Sequence, residues 1–415
     1  MGHTEFSDAE GILQDLFLPG FKTQVEREMP PLWQMLKPKS DMVSGLDVIF
    51  SAQMENPQGH AARSTASQVL PAAVPGKYER VTSRLKRIYA VLEFDSMLLK
   101  AAGTPGGKKS FVDYTENEMK GIKNTHIDAM GRQVFGDGNG VLSLCGTTAG
   151  SVTVVLASTA NMMHFIEGMH VDLVTVADGV AITNGSDRVI QSVDVDNKRV
   201  VIDAAGGVVT TDATVGLVRQ GSYGAEITGL SSIVSATADI FGITTALSRR
   251  WKSYIATSSG AFDIKKVAKA MLECRIRGGA YPDIIVSSPL RQMQYWYQLT
   301  GTRTFDVANK PIPVQSLGVG YYALEVTIEG KKATWIGDIN CPDSEIYGLR
   351  REDIGIQHFG EPSWMKVGDS ILLPNIYGAS GTPTYKAVME YYAEMVCFRR
   401  NSHFKMEGVT DLSGW

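Results

Sequence analysis

Apolar residues recur at helical spacing through one long stretch of the chain. Met119, Ile122, His126, Met130 and Val134 predict a helix over about 110–136. Ser110, with Asp113 three residues on, is the predicted N-cap, and the run Gly136-Asp137-Gly138-Asn139-Gly140 stops the helix. Gly121 and Gly131 each weaken it by about 1 kcal/mol, so packing must hold it. Ahead of it, Arg80 to Leu92 is rich in Val, Tyr, Ile and Leu and follows a Pro75-Gly76 turn, which predicts a long hairpin at 62–98. After it, from 141 to about 222, Val-rich strands alternate with turns at Asp178-Gly179, Asn184-Gly185, Asp196-Asn197 and Gly206-Gly207. That spacing predicts a small antiparallel barrel or sandwich. The next part reads as mixed α/β. Asp263 caps a helix that Gly278-Gly279 ends, Pro282 to Val286 is a buried strand, and Ser288-Pro289 opens another helix. A long strand from Tyr385 to Phe398 closes the chain, with Lys386, Glu390 and Glu394 on one face.

The first 60 or so residues read as an arm rather than a domain. Ile12, Leu13, Leu16 and Phe17 form a short amphipathic helix ended by Pro19-Gly20, and Pro30, Pro31, Pro38 and Pro57 break the remainder. Phe17, Phe21, Leu32, Trp33, Met35 and Leu36 are too many large apolar groups to leave in water. They must bury against the chain's own body or against a neighbour.

Composition narrows the class. A chain of 415 residues suggests two or three domains. With 44% hydrophobic and 20% charged residues it is neither disordered nor a polytopic membrane protein. A net charge of -4 argues against a dedicated nucleic-acid binder. Charge is unevenly placed, however. Within 76–87, Lys77, Arg80, Arg84, Lys86 and Arg87 face Glu79 alone, whereas 168–226 carries eight acids against four bases. Cys145, Cys274, Cys341 and Cys397 lie far apart without a CxxC and read as buried thiols in a reducing compartment. Glu5, Asp8, Glu10 and Asp15 interrupt the start where an export signal would be apolar, so the chain is expected to stay in a cytoplasm, away from membranes.

No common catalytic signature is present: no GxSxG elbow, no phosphate-binding GxxxxGK[ST], no HExxH. His164 and His170 are spaced poorly for a metal, and Asp194-Val195-Asp196-Asn197 runs into Lys198-Arg199 where a calcium loop needs glycine. No catalytic, cofactor-binding or metal-ligating residue is predicted. The chain reads as structural.

The order of parts carries the sharper signal: arm, long hairpin, long helix, inserted β module, α/β domain, final long strand. It resembles the major capsid proteins of tailed bacteriophages with the Hong Kong 97-type fold. Glu226 to Val234, running on to Phe241-Gly242-Ile243 and Arg249-Arg250-Trp251, is similar to the family's stretch leading into its axial domain. Tyr281 to Pro289 resembles its strand-then-helix. Gly337 to Pro342 with Ile346 to Leu349 resembles a later strand pair, and Val396 to Arg400, through Gly408, its last peripheral strands.

The resemblance implies an α+β fold in seven segments. These are an arm (1–61), an extended loop (62–98), a peripheral domain with a spine helix (99–167) and a barrel-like insertion (168–222). A return to the peripheral domain (223–261), an axial domain (262–375) and peripheral C-terminal strands (376–415) follow. It implies a subunit that assembles as hexamers and pentamers into an icosahedral shell around double-stranded DNA, without sequence-specific contact. The expected partners are a separate scaffolding protein, a portal protein and, optionally, a decoration protein. Virion capsid is the expected location, with host cytoplasm during assembly, and no covalent cross-link is expected. Candidate inter-subunit contacts are Lys77, Arg80, Arg84, Lys86, Arg87, Phe17, Phe21 and Trp33. The competing readings are a nanocompartment shell around a protein cargo, and a β-rich hydrolase or surface-binding protein.

Overall fold

The longest strand, Thr384–Cys397, organises one half of the molecule. A computed structural model describes residues 30–64, 69–97, 108–158, 160–246, 249–302, 315–317, 321–328, 330–367, 370–374 and 384–412. On one side the long strand pairs antiparallel with Lys86–Asp95 over its first ten residues, from Thr384↔Asp95 to Ala393↔Lys86. On the other side it pairs with Ile354–His358 and with the short strands Ser363–Trp364 and Leu373–Pro374. The helix Lys108–Phe135 packs beside this sheet, with His126 edge-on to Tyr391 at 5.8 Å. Its 28 residues run about 42 Å. It begins two residues before Ser110, which therefore lies inside the first turn rather than capping it. It ends at Phe135, where the predicted glycine run begins.

Met130, Val134 and Phe135 at the end of this helix share one core with Leu32, Trp33 and Leu36 and with Ile227, Leu230 and Ile233. Gly229 shows why this packing needs its sequence. A Cβ there would sit 2.4 Å from the carbonyl oxygens of Gln133 and Gly136, so the backbone before the short helix Leu230–Ile233 rests directly on the long helix's end.

The hairpin is displaced from its predicted place. The strand Lys77–Arg84 does not fold back on 62–74. It pairs with Asp47–Glu55, in a register running from Asp47↔Arg84 to Glu55↔Lys77. The chain breaks at Leu85 and then enters the other sheet as Lys86–Asp95. Pro75-Gly76 is thus the return from a long tip, not the turn itself.

The inserted β module is a barrel, and it starts earlier than position 168. Its sheet runs Val141–Leu144, Val215–Arg219, His170–Thr175, Arg188–Asp194, Arg199–Ile202, Thr153–Val155. Backbone bonds from Ala157 N to Leu144 O (2.9 Å) and Gly146 N to Val155 O (2.8 Å) join the last strand to the first. The closure removes both edges. Leu142, Val154, Val171, Leu173, Val200 and Leu217 fill the interior.

One charge is buried in the barrel. The Arg188 guanidinium, 1% exposed, donates from Nε to the Asp203 carboxylate at 2.9 Å and from Nη1 to the carbonyls of Asn184 (2.7 Å) and Gly207 (2.9 Å). Arg188→Met strands these acceptors and is expected to cost the barrel about 2–4 kcal/mol. Hydrogen exchange should rise across 141–219 while the long strand stays protected. Uniform loss of protection along the chain would contradict a separately cooperative barrel.

The α/β unit is a second sheet, ordered Tyr254–Ala256, Phe404–Met406, Ile346–Leu349, Ile284–Ser287, Lys331–Gly337, Tyr321–Ile328, Gln315–Leu317. Helix Pro289–Thr302 carries the crossover from Ile284–Ser287 to its parallel partner Lys331–Gly337. Helix Ile264–Gly278 has the predicted signals at both ends. Asp263 accepts from Lys265 N at 2.9 Å, and Gly279 at φ 72 sends its N–H to Arg275 O at 2.7 Å. Trp335 anchors the core, stacked on Tyr295 at 4.7 Å with its indole N–H on Ser287 Oγ at 2.8 Å. The C-terminal segment does not stay in the first sheet. Phe404–Met406 lies inside this one and Val409–Thr410 pairs with Gly260–Ala261, so 376–415 divides between the two sheets.

Candidate assembly surfaces

The extended hairpin presents apolar surface of a kind that isolated proteins avoid. The hairpin's tip, cinched by paired backbone bonds between Gln58 and Val74 at 2.9 and 2.6 Å, leaves Val69 86%, Leu70 82% and Val74 52% exposed. Tyr78 beside it is 62% exposed.

Strand alternation then sorts the basic residues. Val81 and Ser83 turn inward, so Arg80 and Arg84 share the outward face, and neither makes an ion pair or hydrogen bond with a described residue. Lys77 lies 3.4 Å from Glu79 across partly exposed side chains. Lys86 is past the Leu85 break and spends its ammonium on the Gly224 carbonyl at 3.0 Å. Arg87 is exposed on the neighbouring strand. The basic cluster read from sequence therefore divides into Lys77 beside Glu79, an outward arginine pair on the hairpin, and two residues at its root.

Trp33 is a correction to the candidate contacts. It is 7% exposed, packed 6.3 Å from Tyr391, because the helix Pro31–Leu36 turns its apolar face into the chain's own core. Phe17 and Phe21 lie outside the described residues.

The acids of the β module serve mainly as turn acceptors. Asp194 takes the Asn197 N–H at 3.1 Å, Asp212 that of Thr214 at 2.8 Å, and Asp178 that of Val180 at 3.1 Å. Side-chain bonds from Asn197 Nδ2 (2.7 Å) and Thr214 Oγ1 (2.6 Å), together with those N–H bonds, hold the carboxyls of Asp194 and Asp212 below the usual range. The Asp194 segment is the hairpin turn its sequence indicated.

Among the described residues, no three His, Cys, Asp or Glu side chains gather as a metal site. Two strongly shifted groups are buried singly. Burial pushes the Glu394 carboxyl up to about 7, and its Oε2 has no partner. Burial holds the His403 imidazole down at about 3, where Nδ1 accepts from Arg350 N at 3.1 Å. Neither has the nucleophile or paired carboxylate that acid–base work needs. Sequence reasoning missed both. For Glu394 the available signal was a lone acid inside Tyr391 to Phe398, an otherwise apolar run.

No protein-family profile matches the chain, and no curated protein matches its sequence. Solved structures do match. The chain is similar to a subunit of the cyanophage A-1(L) capsid asymmetric unit, at 14% identity and a TM-score of 0.56, over 94% of this chain and 96% of that one. It also aligns with the capsid of a native GTA particle, at 9% identity and TM-score 0.46 over 98% and 100% of the two chains. The holo-SrpI encapsulin complex of Synechococcus elongatus PCC 7942 aligns at 8% identity and TM-score 0.41 over 100% and 99%. The cyanophage likeness establishes the fold. The chain has the α+β fold of that cyanophage capsid chain, with a closed β-barrel inserted after the long helix.

Proposed function

We propose that this chain is the major subunit of an icosahedral bacteriophage capsid, assembling with copies of itself as hexamers and pentamers around double-stranded DNA. The observation that carries the reading is a capsid fold whose hairpin holds an apolar tip and an unpaired arginine face out in water. A chain acting alone gains nothing from that surface, whereas a neighbouring copy buries it.

In this reading the sheet around Thr384–Cys397 with the helix Lys108–Phe135 is the peripheral domain. The unit formed by 254–349 with 404–410 is the axial domain, and Asp47–Arg84 is the extended loop laid over an adjacent subunit. Arg80 and Arg84 touch that neighbour, and Phe17 and Phe21 are assigned to contacts of the arm. A scaffolding protein acts during assembly in the host cytoplasm, a portal occupies one vertex, and a decoration protein is compatible with the outer surface. The DNA is held through its phosphates without base readout.

The test is negative-stain imaging and light scattering of the expressed chain, with and without a scaffold candidate. Closed uniform shells, or hexamers and pentamers that convert to shells, are the expected result. A monomer under every condition overturns the reading, and protein in place of DNA inside native shells makes it a nanocompartment.

The loop gives a finer check. The double variant Arg80→Glu with Arg84→Glu should melt like wild type, since both side chains face solvent. Its assembly should weaken about tenfold or more, because a small loss per contact recurs at every subunit. Unchanged assembly would remove the arginines from the interface.

A further inference from the structure

A second surface is incomplete without a partner. Beside the root of the hairpin, the strand Lys86–Asp95, the long helix and residues 219–226 enclose an open cavity of about 450 Å³. Arg219 lines it, partly buried, and its side chain makes no hydrogen bond or ion pair with any described residue. Its Nε is out of contact with water and has no acceptor.

The nearby acids do not supply one. Glu226 is taken by Arg132 in a buried ion pair, so two guanidinium groups share one carboxylate. Glu226 and Asp128 act on Arg219 only from beyond ion-pair distance, while Arg132 opposes it. A cation held there without a carboxylate has only the water of the open cavity to answer it. Arg87, exposed and also unpaired, stands at the same cavity.

The strand beside the arginines says what kind of group is missing. The strand Lys86–Asp95 pairs only with the long strand among the described residues, which leaves its other edge free. On that strand Tyr89 and Val91 are each 49% exposed. A phosphate ion answers the arginines but brings nothing to an apolar strand edge. A peptide segment bearing Asp or Glu answers both.

We propose that this cavity receives an acidic segment from a second copy of the chain, its carboxylate on Arg219 and Arg87 and its backbone along the edge of Lys86–Asp95. The net charge of -4 makes each copy a ready source of such segments. The proposal rests on the shell reading above, because only assembly brings a second copy to this face.

Arg219→Gln tests it. The unassembled variant should fold with a melting temperature equal to or above wild type, since an unsatisfied cation has been removed. Its half-assembly concentration should rise about tenfold or more, a desolvated ion pair being lost at each contact. Shells as stable as wild type would overturn the contact while leaving the shell reading intact. A variant that fails to fold would overturn it as well, by making Arg219 a structural residue. Inorganic phosphate supplies a further arm. Stabilisation of the unassembled wild type at millimolar phosphate, lost in Arg219→Gln, would make the occupant a free anion and defeat the proposal. If wild type itself never assembles, the shell reading fails and this contact with it.

Discussion

Replacing Arg400 by Met is expected to lower the stability of the folded chain by about 3–5 kcal/mol, enough to unfold many domains of this size. Arg400 is fully buried, yet no carboxylate faces it within bonding distance. Its guanidinium instead donates to five backbone carbonyls: Nε to Ile233 at 2.9 Å, Nη1 to Ala238 at 2.9 Å and Trp251 at 3.3 Å, and Nη2 to Ser232 and Ser235, both at 3.0 Å. Its own carbonyl takes the Ser253 hydroxyl at 2.8 Å. The residue sits where the chain leaves the long strand and enters the α/β sheet at Phe404–Met406, so one planar cation ties the segment 232–253 to the joint between the two sheets. Met fills much of the volume but strands the carbonyls, each worth about 1–3 kcal/mol when buried without a donor. Arg400→Lys should recover little, because an ammonium has three donors and no fork to reach carbonyls in five directions. Urea unfolding followed by circular dichroism measures the effect. A loss below about 1 kcal/mol would mean that water or a rearranged loop replaces the guanidinium.

This role was not legible in the sequence, where Arg399-Arg400 looks like any surface pair. Local physics wrote most of the elements. The 3.6-residue period and the glycine stop placed the end of the long helix, and Asp263 with Gly279 bounded Ile264–Gly278. Non-local pairing was not written there. Lys77–Arg84 has strand character, but nothing within it says that its partner begins at Asp47, and a Pro-Gly turn nearby offers a plausible wrong answer. The barrel's lower bound is a related case: the Val-rich pattern from 141 took in its first strands, whereas the insertion implied by the family resemblance began at 168. Val141–Leu144 is short, and it becomes part of a barrel only through Val215–Arg219, over seventy residues on. Among the candidate contacts, alternation along one strand decides that Arg80 and Arg84 face outward, while a six-residue helix decides that Trp33 does not. The vacancy at Arg219 could not be read either, since it depends on Glu226 choosing Arg132.

Glu394→Gln is expected to stabilise the folded chain at pH 8 and to leave it nearly unchanged near pH 5. Glu394 is 1% exposed on the long strand. Its Oε1 accepts the N–H groups of Thr228 (2.7 Å) and Met395 (3.1 Å), while Oε2 has no partner. Burial raises its pKa from 4.5 to about 7, against the lowering effect of those N–H bonds and of Lys86. The charged and titratable groups around the adjoining cavity of about 410 Å³ are Arg84 and Lys86 from the hairpin side, Asp137 from the helix-end turn and Asp239 from the turn before Phe241. On the paired strand, Gln357 lies opposite. The folded state therefore holds a proton that the unfolded chain releases near 4.5. The stability this carboxyl contributes is fully present below that value, declines as pH rises, and is gone above about 7. The difference amounts to about 3 kcal/mol at most. His403 slopes the other way. It is buried neutral with its pKa lowered from 6.5 to about 3, so its contribution is complete above pH 6.5 and drains away as pH falls. Urea midpoints of wild type and Glu394→Gln at intervals from pH 5 to 8 isolate the carboxyl, because His403 is common to both. The two curves should coincide at the acidic end and separate progressively towards pH 8, with the variant above. Parallel curves would show that Glu394 is ionised in the folded chain throughout, its second oxygen answered by Lys86.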